Sequence, residues 1–166
     1  MKCYLCKRKG DINLQKGRDV CNECFVKLIE KRVRKYARLN KIFSKGDKIF
    51  ASGIAKYFVE SFDMPVEFVS KNKANKIVVS WSMDDEANEF VSALFKGGKV
   101  KKSKAVKLLK VVTDKELKIF AKIKKLKFKA NKKDKDVQKF LDNVEKKHGN
   151  IKYNLLKNIE SLEEII

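Results

Sequence analysis

All four cysteines of this 166-residue chain fall within its first 24 positions, as Cys3, Cys6, Cys21 and Cys24. The spacing is C-x2-C-x14-C-x2-C. Each C-x2-C pair holds two sulfurs on one tight turn, so four thiolates can close on a single ion at about 2.3 Å in a tetrahedron. Such a site leaves no position for water, and its ion holds the fold without entering any reaction. Structural Zn2+ is the expected occupant. Two disulfides are disfavoured because nothing in the sequence points to secretion, while ligation by four cysteines also permits an iron–sulfur cluster. Gly10 and Gly17 suit the turns of the intervening loop.

Little else has the pattern of a reaction centre. No Ser/His/Asp arrangement is supported, and the one histidine, His148, stands beside Gly149 where a helix-end role is expected. Asp84-Asp85-Glu86 opens an apolar periodic segment, where acids favour the positive end of a helix.

The charge is the second feature. Forty-one Lys and Arg against 21 Asp and Glu give a formal net charge of +20, with 43% hydrophobic residues. The apolar share suffices for a packed core and argues against intrinsic disorder. A charge this large repels itself in a compact chain and is normally matched by a polyanion, nucleic acid first. A general lysine bias would raise Glu alongside Lys, and here the acids lag. Residues 1–45 hold 14 basic and 4 acidic side chains, 46–95 hold 5 and 8, 96–147 hold 20 and 6, and 148–166 hold 2 and 3. Two basic blocks therefore flank a near-neutral middle. No run approaches the ~20 apolar residues of a membrane span, and no apolar leader precedes the cysteines. A cytoplasmic protein with no membrane partner is expected.

The elements that carry these residues follow from periodicity. From Phe25 to Leu39, apolar residues at 25, 28, 29, 33, 36 and 39 or 37 predict a helix. Lys31, Arg32, Arg34, Lys35 and Arg38 share its polar side and are candidate phosphate contacts. Lys101, Lys102 and Lys104 are further candidates in the later basic block. Short strands are predicted at residues 48–52, 65–69 and 76–80, with helices over 54–62, 84–95 and 114–126. Thr113 and Glu116 form a capping box for the last of these. Two more helices are expected, around Val137 to Val144 and from Tyr153 towards Ile165. Strand, Gly-containing turn, then helix is the opening of many nucleotide-binding α/β folds.

The order of these motifs resembles the tRNA 2-thiolation family of PP-loop proteins. The resemblance rests on the C-x2-C…C-x2-C-F start, the basic helix, a strand ending in Ser52-Gly53, and residues 80–87, S-W-S-M-D-D-E-A, against the family's G-H-N-L-D-D-E-A. Asp84 and Asp85 match that motif, and Trp81 stands where the family has His, as a packed aromatic or a base-stacking surface. Residues 106–121 resemble the family's I-K-P-L-…-E-K-E-…-Y-A stretch, and residues 140–156 its L-…-L-E-…-H-P-G-…-L-L segment. The likeness runs in order over nearly the whole chain.

The departures are as informative. The family's nucleotide loop is S-G-G-x-D-S; here Ser52-Gly53 is followed by Ile54, Ala55, Lys56 and Tyr57. Loss of the second glycine and of the Asp impairs both the amide cradle for phosphate and the charge for a metal. Family enzymes also use cysteines in the body of the fold, and residues 25–166 contain none. The 27 residues between Ser52 and Ser80 leave no room for additional strand–helix units, and the carboxyl-terminal cysteine module of many relatives is missing. The resemblance thus implies an α/β protein in three parts. Residues 1–26 form a four-cysteine zinc module, 27–45 a basic linking helix, and 46–166 a degenerate, truncated PP-loop-like (Rossmann-like) parallel sheet with carboxyl-terminal helices. It implies a non-catalytic subunit of a wobble-uridine thiolation complex, without ATP or an iron–sulfur cluster. Its partners would be tRNA and a catalytic PP-loop paralogue, in a heterodimer or heterotetramer. The alternative is a stand-alone zinc-containing RNA-binding module. A residual enzyme using Asp84 or Asp85 with a bound metal is the least favoured reading.

Overall fold

The structure is a computed structural model that describes residues 1–15, 18–98 and 103–163, the side chains of Gln15, Leu162 and Glu163 excepted. Lys101 and Lys102 lie outside the described residues, as does Gly17. The chain begins with an antiparallel hairpin, β1 (Ile12–Gln15) and β2 (Arg18–Val20), in which Ile12 pairs with Val20 and Asn13 with Asp19. Periodicity did not announce these strands, because a three- or four-residue strand offers too few alternations to register. Gly10 lies so close to the Cys3 backbone that an added Cβ would stand 3.0 Å from its nitrogen. The loop can therefore fold back over Cys3 only without a side chain there.

Helix α1 (Asn22–Leu39) starts immediately after Cys21, so Cys24 sits in its first turn. Phe25, Val26, Ile29, Val33 and Ala37 form its buried stripe, spaced for a 3.6-residue period. Of the two residues that could have closed this stripe, Ala37 is buried and Leu39 is 65% exposed. The stripe packs on α4 (Asp114–Lys124), and one core continues from Cys3 and Val20 through α1 to Ile49, Phe58, Leu109 and Phe120. The cysteine module and the α/β body thus share a hydrophobic interior.

The body is a three-stranded parallel sheet in the order β4 (Glu67–Phe68), β3 (Lys48–Ala51), β5 (Lys76–Val78), with a single parallel bridge from Val78 to Val106 on its far side. All three expected strands are present, shorter at their ends than predicted. Helix α2 (Gly53–Glu60) connects β3 to β4 and buries Ile54, Ala55, Phe58 and Val59. A second layer follows: α3 (Met83–Phe95) packs against α5 (Lys135–His148) and α6 (Ile151–Glu163), around Ala87, Val91, Val137 and Leu141. Capping boxes start α3 (Ser82 with Asp85) and α4 (Thr113 with Glu116), the second of them foreseen. His148 ends α5 ahead of Gly149, which has φ +55°, as the helix-end reading required. Among the described residues no helix is long and apolar enough to cross a membrane.

Phe58 and Phe120 join α2 to α4 at the centre of the core, their rings stacked with centroids 4.9 Å apart and both side chains fully buried. Removing such a ring leaves a cavity that close packing cannot refill. Phe120→Ala is expected to lower the free energy of unfolding by about 3–5 kcal/mol, measured by urea denaturation against the unsubstituted protein.

Candidate functional site

The two C-x2-C pairs converge. The sulfurs of Cys3, Cys6, Cys21 and Cys24 all lie within 4.8 Å of one another, and those of Cys6 and Cys21 are 3.6 Å apart. Four ligands at about 2.3 Å from one tetrahedral ion stand about 3.8 Å apart, so the spacing suits a single ion. A [4Fe–4S] cluster places each thiolate on a different iron, which spreads the four sulfurs more widely. Burial raises the Cys3 thiol, but backbone amides of Cys21, Cys6 and Leu5 directed at its sulfur outweigh this and lower it to about 6. Arg8 lowers Cys6 by a backbone and a guanidinium hydrogen bond. Cys24 is pushed up to about 12 by burial and by the neighbouring thiols. The amides and Arg8 therefore favour thiolates on the first C-x2-C, and a metal must displace a proton from Cys24.

The second constellation lies where the order of the parallel sheet reverses, with β4 on one side of β3 and β5 on the other. Open α/β sheets take ligands at the carboxyl ends of the strands at such a point. A crevice of about 560 Å3 opens there, lined by Phe50, Ser52, Ser80, Trp81, Lys107 and Asn131 among others. Gly53 begins α2 with φ +55°, a conformation glycine adopts without strain, while the Ser52 side chain makes no capping bond. The residues that replace the nucleotide-loop pattern serve other contacts. Ile54 and Ala55 are buried in the core. Lys56 pairs with Glu60 and lies over the Phe68 ring. Tyr57 turns away to donate a hydrogen bond to Glu30 at 2.7 Å and packs edge-on against Phe120.

Asp84, Asp85 and Glu86 are 5%, 4% and 3% exposed, so three adjacent carboxylates are buried at the start of one helix. Each is matched by a lysine from a different later segment. Lys152 of α6 reaches Asp84 at 2.7 Å, Lys133 bridges Asp85 at 2.5 Å and Asp114 at 2.8 Å, and Lys107 meets Glu86 at 2.7 Å. Asp84 also accepts the backbone N–H of Asp114, the first residue of α4, at 2.7 Å. Asn131 donates to Asp85 and to the Ser80 carbonyl, at 2.8 and 2.9 Å. Trp81 donates its indole N–H to Glu86, with Lys107 4.7 Å from its ring centroid. The position is therefore a packed, hydrogen-bonded aromatic at the crevice wall. Burial works against the charge on Lys107, Lys133 and Lys152, yet the facing carboxylates more than offset it and raise all three above the ordinary lysine value. No sequence signal singled out these lysines, because a counter-ion across the fold leaves no local periodicity.

The candidate phosphate contacts are distributed unevenly. Lys31, Arg34, Lys35, Arg38 and Lys104 are exposed. Arg32, half-buried, holds Glu116 through both carboxylate oxygens at 2.9 Å and donates to the Val111 carbonyl, all from one guanidinium nitrogen, so it clamps α1 to α4.

Breaking one partner of a buried pair strands the other charge, at about 3–5 kcal/mol. Lys152→Met is expected to show a loss of that size in chemical denaturation, and Asp84→Asn in the same chain is expected to restore much of it. The pH dependence has a definite sign. A lysine raised in the folded state stabilises fully below its ordinary value of 10.5 and loses that contribution as pH climbs through the folded value. Stability measured from pH 7 upward is therefore expected to fall only in the strongly alkaline range, and less steeply in the double variant.

No family model matches the chain, and no curated protein matches it. Among solved structures, the chain is similar to the U34-tRNA thiolase NcsA from Methanococcus maripaludis, described with its [4Fe-4S] cluster. The TM-score is 0.66 at 18% identity, over all of this chain and 88% of that one. The protein therefore has a thiolase-like α/β fold that carries a four-cysteine, potential metal-binding cluster near the amino terminus.

Proposed function

We propose that this chain is a non-catalytic subunit in tRNA thiolation, which binds tRNA and a catalytic PP-loop paralogue. The observation that carries the reading is the neutralisation of Asp84, Asp85 and Glu86 by Lys152, Lys133 and Lys107 within the chain. Carboxylates that hold a catalytic divalent cation keep oxygens available to it; here Asp84 and Asp85 are each engaged by a lysine and a backbone amide, and Glu86 by Lys107 and the Trp81 indole. The replaced loop supports the same conclusion, since Ile54, Ala55 and Tyr57 are drawn into the core and Lys56 offers positive charge where a metal would need a carboxylate. The net charge of +20 supports a polyanionic partner, and the likeness of fold to a tRNA thiolase favours tRNA.

The four cysteines fit Zn2+ in a structural role. Cys3, Cys6, Cys21 and Cys24 would hold the ion, joining the first hairpin to the start of α1. Their close sulfur spacing favours one ion over a [4Fe–4S] cluster. Protein purified without added metal is expected to contain one zinc per chain by elemental analysis, lost in Cys24→Ser. Iron with acid-labile sulfide would overturn the assignment.

The functional reading is tested by affinity purification from the source cells, with both a PP-loop enzyme and tRNA expected to accompany the tagged chain. Recovery of neither would sink it. Uridine thiolation by the isolated chain, supplied with ATP and a sulfur donor, would refute its non-catalytic part. Binding to many RNAs with no partner recovered would favour a stand-alone RNA-binding module.

A further inference from the structure

The lysines of the later basic block divide into two sets. Lys107, Lys110 and Lys133 are turned inward, and together with exposed Lys124 each pairs with a carboxylate of the fold. The second set faces solvent. On α4, Lys115, Lys118 and Lys122 are exposed and fall at intervals of three and four residues, which aligns them on one stripe. Lys125 closes the helix in the left-handed conformation, with φ +55° and ψ +37°, and turns the chain into an irregular segment, residues 126–134, that leads to α5. In this strap burial alternates. Leu126 and Phe128 pack on the core, while Lys127 and Lys129 between and after them are exposed, followed by exposed Lys132.

The strap crosses the carboxyl ends of the sheet. The Lys127 carbonyl lies 3.8 Å from where a Cβ on Gly53 would stand, and Asn131 is bonded to the Ser80 carbonyl, so the segment spans the loops that follow β3 and β5. Asn131, Lys133 and Asp134 anchor it, the last through reciprocal 3.0 Å bonds with Asn88. Its exposed lysines are thus carried on a fixed backbone. Among the described residues none of the seven outward lysines from 115 to 132 has an ion-pair partner. Along an extended chain, side chains two residues apart on one side stand about 6.6 Å apart, inside the ~8 Å screening length of physiological salt. Such a row repels itself and contributes nothing to the folded chain alone. A linear polyanion of matching repeat would relieve the repulsion.

From this arrangement we infer that the stripe on α4 and the strap form one continuous track for the phosphodiester backbone of RNA, passing the mouth of the crevice. The inference rests on the proposal that the chain binds RNA, and adds the surface that does so. The track differs from the α1 face singled out by the sequence, and it takes the backbone without reading bases.

Its test measures affinity against salt for an unstructured oligouridylate and for a tRNA transcript. The proteins are the unsubstituted chain, the track variant K125Q/K127Q/K129Q, and the equally charged control K45Q/K48Q/K73Q. The control lysines are exposed and lie at the amino ends of the strands, away from the strap. Each single-strand phosphate contact contributes about 0.7 to the slope of log affinity against log salt. The track variant is expected to lose about 2 from that slope, with its circular dichroism unchanged, while the control keeps it. Equal effects of the two variants, or an unchanged slope in the track variant, would overturn the track and leave RNA binding standing. Absence of binding by the unsubstituted chain to either RNA would instead remove the reading on which the track rests.

Discussion

Three like charges in consecutive positions, buried at the start of one helix, cannot fold without counter-charges, and this requirement organises the second half of the molecule. Asp84, Asp85 and Glu86 draw in α6 through Lys152, the strap through Lys133 and the segment after the Val106 bridge through Lys107. Asp84 also fixes the first amide of α4. A mere apolar contact between α3 and its neighbours would tolerate sliding. Buried charge pairs do not, because displacing any lysine strands a carboxylate. The hub thereby sets the position of the strap, and with it the orientation of the exposed lysines on the strap's other side.

The hub also gives the net charge a different meaning. The excess of acids in residues 46–95 and the excess of bases in residues 96–147 are partly two halves of the same internal pairing. What remains for an external partner is the set of lysines that the carboxylates do not use. Much of that set lies on α1, α4, the strap and α5. The protein combines a densely compensated interior with an uncompensated exterior, an arrangement suited to a polyanion that arrives after folding.

Much of this was legible before the structure. The long elements could be read because their apolar residues repeat over several turns, as Phe25, Ile29 and Val33 do on α1 and Leu117, Phe120 and Ala121 on α4. The convergence of the cysteines could be read because C-x2-C imposes its own local geometry. The hairpin of the cysteine module and the Val106 bridge could not, being too short to show a period. The same limit applies to charge. Arg32 read as part of a phosphate-facing row, and its clamp on the distant Glu116 had no local signal. Asp84 and Asp85 match a motif in sequence, and their partners in this fold are lysines that only three-dimensional proximity reveals.

The left-handed Lys125 and the strap it starts bear on how the chain acquires its shape during synthesis. The carboxylates of α3 emerge from the ribosome well before Lys133 and Lys152 do. Until then they stay hydrated, and α3 has no inducement to bury its first turn. The sheet and α1 complete their core only once Leu108 to Phe120 have emerged, and the layer of α3, α5 and α6 is bound to close later still and together, as one cooperative unit. A nascent chain of this protein therefore carries its acidic turn exposed beside the lysine-rich residues 96–147 until the partners of that turn have emerged.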